Sequence, residues 1–273
     1  MSEPFGSRLA AAVADRGPLC VGIDPHRSLL LDWGLTDDVA GLRRFTDTVV
    51  DALAGRVAVL KPQLAFYERH GSRGIAVLEE AVLRARSAGA LVLLDAKRGD
   101  IGSTMDAYAD YLRPEHELAV DALTVSPYLG PDSLAPAVRT ARATGGGLFV
   151  LARTSNPDAG TLQHARVGER SVAQTVVDAV GSWNAADRPG GTGSFGVVVG
   201  ATLPELDVDL SGLGGPVLAP GLGAQGGTAA DLRRLFGADR TVVPTVSRDV
   251  LGAGPDVAAL QAAADRWTAE LTA

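Results

Sequence analysis

Eight short apolar runs recur along the chain, and a stretch with helical periodicity separates each from the next. They read LCVGID (19–24), VAVLKP (57–62), LVLLDA (91–96), DALTVS (121–126), LFVLARTS (148–155), FGVVVGAT (195–202), PVLAP (216–220) and TVVPTVS (241–247). Runs this short and unbroken suit strands buried on both faces, which is the condition of a parallel sheet. Parallel neighbours need a crossover, and the helical stretches supply one each time, over 38–54, 74–88, 131–143 and 168–186 among others. Eight such units in about 250 residues predict a (β/α)8 TIM barrel. An open doubly wound sheet is the alternative that the same rhythm allows. No linker or low-complexity tract interrupts the pattern, so residues 1–273 are expected to form a single domain.

The third run continues into LVLLDAKRGDIGST, residues 91–104, and here the charge is concentrated. Asp95, Lys97, Arg98 and Asp100 fall within six residues after four apolar ones. A strand buried on both faces expels charge, so the run is expected to end where Asp95 begins. Alternation points Asp95 and Lys97 the same way, Asp100 follows Gly99 into a turn or helix, and Thr104 lies one helical turn on. An ordinary surface ion pair with a helix-capping aspartate would contribute roughly 0–1 kcal/mol. So many charges directly on a core strand instead suggest a reaction site, at the strand end where α/β folds keep their chemistry.

G-x-G-x-x-G occurs twice. Gly191, Gly193 and Gly196 precede a strand and read as loop. Gly221, Gly223 and Gly226 follow the seventh run and open the helix TAADLRRLF, the order in which backbone N–H groups at a helix N-terminus can meet a phosphate. A dinucleotide fold would place this motif near the start of a long domain, and fewer than about fifty residues remain here. In a barrel, the loops after strands seven and eight are the usual phosphate grip, and Arg248 just after the eighth run can add a charged fork.

Net charge is −7, which excludes nucleic-acid binding by bulk electrostatics. No stretch approaches about 18 apolar residues, so no membrane span is expected. Cys20 stands alone inside an apolar run and reads as a buried, inert thiol, which fits a reducing cytoplasm. Aromatics make up 5% of the chain, so Val, Leu and Ala must build the core. No His, Cys and acid cluster has the spacing of a metal site. His26, His70, His116 and His164 read as loop or surface residues.

D-x-K-R-x-D-I-x-x-T over 95–104 closely resembles the signature of the orotidine 5′-phosphate decarboxylase family. Other strand ends agree: GIDPH (22–26), VLKPQLAFYE (59–68), LARTSNPDA (151–159) and LAPGLGAQGG (218–227) look like that family's first, second, fifth and seventh. The KPQ-x-AF and DAKRGDI forms are similar to its longer bacterial subgroup. The resemblance implies decarboxylation of a nucleotide without metal or organic cofactor, with Lys97 as proton donor and Asp95, Asp100 and Lys61 as its charged network. It implies that Asp24 holds ribose hydroxyls, Thr104 belongs to the substrate contacts and Ser155 reads the pyrimidine edge. Gly221, Gly223 and Arg248 would hold the phosphate, Gln225 would bridge base and phosphate, and Ser247 is a further contact. It also implies a homodimer in which Asp100 crosses into the partner's site. Pro244 and Thr245 depart from the family's last strand. Related barrels keep D-x-K-x-x-D but use Mg²⁺ on sugar phosphates, with an acid at the second strand end; this chain has Lys61 there, which would repel a cation. An NAD-dependent oxidoreductase and a non-catalytic nucleotide binder are the remaining alternatives.

Overall fold

Each apolar run becomes one strand: β1 (Cys20–Ile23), β2 (Val59–Pro62), β3 (Leu91–Arg98), β4 (Ala122–Val125), β5 (Gly147–Arg153), β6 (Phe195–Val199), β7 (Val217–Pro220) and β8 (Val242–Val246). This is a computed structural model, and it describes residues 3–187, 192–237 and 240–273. The strands are parallel throughout and pair in chain order, and β8 returns to β1 through Cys20↔Thr245 and Val21↔Val246. The result is a closed (β/α)8 barrel, and the open sheet is excluded.

The continuous apolar runs have a simple cause. Leu91 and Leu93 face the barrel interior with Cys20, Val59, Ala122 and Phe149, whereas Val92 and Leu94 face the surrounding helices. Both parities are buried, so no polar alternation survives. Each interior leucine contributes about 1.5–3 kcal/mol by leaving water. The amino-terminal end of the barrel is closed by a helix, Phe5–Arg16, whose Phe5 meets Phe149 edge-on at 5.9 Å between ring centroids.

Several boundaries differ from those expected. β3 does not stop before Asp95 but runs to Arg98. Its pairing with β4 slips between Leu94↔Leu123 and Arg98↔Val125, so the charged part bulges and does not continue as a regular buried strand. The helix expected over 168–186 starts at Val172, because the preceding residues form a small exposed hairpin, Arg166–Val167 with Arg170–Ser171. Gly196 belongs to β6, where an added Cβ would lie 2.4 Å from the Pro216 carbonyl oxygen; Gly191 lies outside the described residues. Pro244 stays in register opposite Ala219, and the ladder to β1 begins only at the next residue. No described helix is long and apolar enough to cross a membrane.

Candidate active site

The interior layers are apolar until the carboxyl ends of the strands, where the same parity places polar groups. Two residues beyond interior Val59 comes Lys61, two beyond Leu93 comes Asp95, and two beyond Ala122 comes Thr124. All three are buried. Asp95 is their hub. Its Oδ2 accepts from Lys61 Nζ at 2.8 Å, and its Oδ1 accepts from Lys97 Nζ at 2.6 Å and Thr124 Oγ1 at 2.9 Å. The Gln63 amide completes the array when its nitrogen donates to Asp95 Oδ2 at 2.6 Å and its oxygen accepts from Lys97 Nζ at 3.3 Å; the hydrogen-bond network assigns that orientation.

Burial works against charge on both partners of the central pair, and the pairing outweighs it. Burial opposes ionisation of Asp95, yet the ammonium groups of Lys61 and Lys97 hold its carboxyl well below the usual range. Burial likewise opposes the Lys61 ammonium, but Asp95 and Asp24 hold it above the usual lysine range. The site therefore presents one shielded carboxylate held between two lysine side chains. Burial also pushes the nearby Cys20 thiol up to about 12, as expected of an inert thiol.

Lys97 reaches this position through a strained backbone. Its φ of +50° makes it the one non-glycine with positive φ among the described residues, a conformation costing about 1–2 kcal/mol. The Lys97 N–H donates to Thr124 Oγ1 at 3.0 Å, and the Ser126 N–H donates to the Arg98 carbonyl at 2.7 Å. Gly99 must be glycine for space: a Cβ there would lie 2.3 Å from the Ser126 carbonyl oxygen.

A cavity of about 260 Å³ opens above this array. Asp24, Lys61, Asp95 and Lys97 line its floor, and Gly221, Gln225, Ser247 and Arg248 line one wall. Asp24 Oδ1 and Ser247 Oγ are buried there without a hydrogen-bond partner among the described residues. Four expected residues lie off the lining. Gly223 sits within the glycine loop, Thr104 is exposed on the helix Gly102–Ala109, and Asp100 accepts the Ile101 N–H at 2.8 Å on the rim. Ser155 is exposed, and its neighbour Thr154 lines the cavity instead. The cavity is also lined by four polar residues outside the expected set, Gln63, Thr124, Thr154 and Thr245. A larger cleft of about 660 Å³ lies at the opposite barrel end, against Pro18, Leu232 and Pro244, and contains none of the charged strand ends.

The glycine loop differs from expectation in one respect. Gly221, Gly223 and Gly226 all have positive φ, so the loop does need glycine. The following helix, Ala229–Phe236, is however closed by its own capping box, in which Thr228 and Asp231 satisfy each other's backbone N–H. The loop, and not that helix end, faces the cavity. Among the described residues no three His, Cys, Asp or Glu side chains gather as a metal site.

Residues 17–263 match the family model described as Orotidine 5′-phosphate decarboxylase / HUMPS family. The chain is 63% identical to orotidine 5′-phosphate decarboxylase of Streptomyces coelicolor over 272 residues, 98% of this chain and 97% of that protein. It is 62% identical to the Salinispora arenicola protein of the same name over 274 residues, 99% and 98% of the two chains. Among solved structures, a Streptomyces avermitilis protein assigned to that activity superposes with a TM-score of 0.95 at 61% identity, covering 99% of this chain and 95% of that one.

Proposed function

Because the chain belongs to the orotidine 5′-phosphate decarboxylase / HUMPS family, we propose that it is a carboxy-lyase converting orotidine 5′-phosphate to uridine 5′-phosphate and CO2, with Lys97 as proton donor. The observation that carries the reading is the Lys61–Asp95–Lys97 array on the cavity floor. Breaking the bond between C6 and the carboxylate releases CO2 and leaves the electron pair on C6, with no ring position to take it up. A fixed ammonium beside that carbon stabilises the growing charge and supplies the proton that ends the step. The Lys97 amine then regains a proton from water. Asp95, with Lys61 behind it, keeps Nζ in place through both stages. A lysine at the β2 end also argues against the metal-dependent sugar-phosphate relatives, whose cation would meet a buried ammonium there.

The remaining contacts follow the cavity walls. Asp24 and Ser247, each with a buried unpartnered oxygen, take ribose hydroxyls. The β5 end, at Thr154 and Ser155, faces the pyrimidine edge. Gly221 and Arg248 hold the phosphate, Gly223 shapes that loop, and Gln225 bridges phosphate and base. Asp100 and Thr104 belong to the site across a twofold interface. No cofactor takes part, and the product feeds pyrimidine nucleotide synthesis. Mixing the purified protein with orotidine 5′-phosphate should abolish the orotate-ring absorbance and yield uridine 5′-phosphate, before and after dialysis against EDTA. A loss on dialysis that Mg²⁺ restores, or turnover of a sugar phosphate alone, would overturn the reading.

A further inference from the structure

We propose that Arg98 is a positioning residue for this reaction: it pins the carboxyl end of β3 so that Lys97 keeps its left-handed backbone and its contact with Asp95. The inference rests on the reading of Lys97 as proton donor. Arg98 follows Lys97 directly, yet its side chain does not line the cavity. Its guanidinium pairs with Glu68, the last residue of the short helix Ala65–Glu68 that follows β2, and lies over the Tyr108 ring at 5.4 Å from the centroid. Tyr108 stands on the helix Gly102–Ala109, which follows Asp100. One side chain thus ties together three segments, those carrying Lys61 and Gln63, Lys97, and Asp100 with Thr104.

The backbone shows why the tie matters. From Leu94 to Arg98 β3 advances four residues, while β4 advances two, from Leu123 to Val125. Asp95, Ala96 and Lys97 therefore form an arc between two fixed points. Asp95 is held by buried partners, but Lys97 has positive φ and a half-exposed side chain. An arc keeps its shape only while its far end is held, and Arg98 is that end. Releasing it lets Lys97 relax to extended backbone, and such a change of register swings a side chain toward the other face. Glu68 and Arg98 are both partly exposed, so their pair contributes little to overall stability. Catalysis is far more sensitive, since a displacement near 1 Å can cost about a hundredfold in rate.

The test compares wild type, Lys97→Ala, Arg98→Met and Arg98→Lys by steady-state kinetics and thermal unfolding. Turnover by wild type and its loss in Lys97→Ala establish the underlying reading; an inactive wild type removes reading and inference together. With that reading in place, Arg98→Met should lower kcat by about 10- to 100-fold while KM stays within about threefold. Arg98→Lys, whose ammonium can still meet Glu68 and the Tyr108 face, should recover most of kcat. If Arg98→Met does not fold, Glu68→Ala should give the same split. Unchanged kcat, a KM that rises in step with the fall in kcat, or a stability loss that explains the activity loss without rescue by lysine would each overturn the proposal.

Discussion

Asp95 accepts from two ammonium groups and a hydroxyl while nine-tenths buried, and the electrostatics of the site converge on it. Its depressed carboxyl pKa contributes stability that is present above the unfolded value, about 3.9, and lost as pH falls through the native one. The raised Lys61 contributes below about 10.4, and that part is lost as pH rises through its native value. The pair's contribution is therefore level between roughly pH 4 and pH 10. Asp95→Asn leaves a buried lysine with less compensation and should cost about 3–5 kcal/mol in urea unfolding at pH 7. That difference from wild type should shrink below about pH 4, and a constant difference down to pH 3 would contradict the account. The charged members of this array were legible because a charge at the end of an apolar run needs a reason. Thr124 and Gln63 were not, being uncharged, although interior parity with Ala122 would have pointed to Thr124.

At the scale of elements, β7 and its loop are the clearest case. A Cβ on Gly223 would sit 2.3 Å from Asp249 Oδ2 on a backbone of φ +68°, so Gly223→Ala must shift the loop. Arg248→Ala removes the charge on the neighbouring strand end. Each should raise KM for orotidine 5′-phosphate by about 10- to 100-fold, the range of a lost charged hydrogen bond. Neither should change kcat/KM for phosphate-free orotidine, and an equal loss with that nucleoside would place these residues elsewhere than at the phosphate. The glycines were readable from spacing, but the fate of the next helix was not. Thr228 followed three residues later by Asp231 is itself a capping signal, and it competes with a ligand for the same N–H groups. β3 extends further than its apolar run for a related reason: burial of a lone charge is prohibitive, but two ammonium partners and a bulge make it tolerable.

For the whole molecule, the number and order of strands followed from eight apolar runs, because each crossover keeps sequential strands adjacent. The exposed hairpin at Arg166–Ser171 left no such trace, having no apolar face to bury. Assembly is the remaining question at this scale, and Asp100 bears on it. It stands on the rim, off the lining of its own cavity, beside Ile101 at 62% exposure. Gly99 packs against Ser126, which brings Tyr128 at 75% exposure onto the same rim. Two exposed apolar side chains, on segments that meet at Gly99 and Ser126, beside an acid that lies off its own cavity's lining fit an isologous contact that carries Asp100 to the partner's Lys97. Consider inactive Lys97→Ala mixed with inactive Asp100→Asn under conditions that exchange subunits. In a mixed dimer one site inherits both defects, while the other combines an intact Lys97 with an intact Asp100. Random exchange makes roughly half the dimers mixed, so activity should return to about a quarter of wild type. If Asp100 instead serves its own barrel, every site keeps one defect and no activity returns. Exchange confirmed by native mass spectrometry without recovery would refute the shared site.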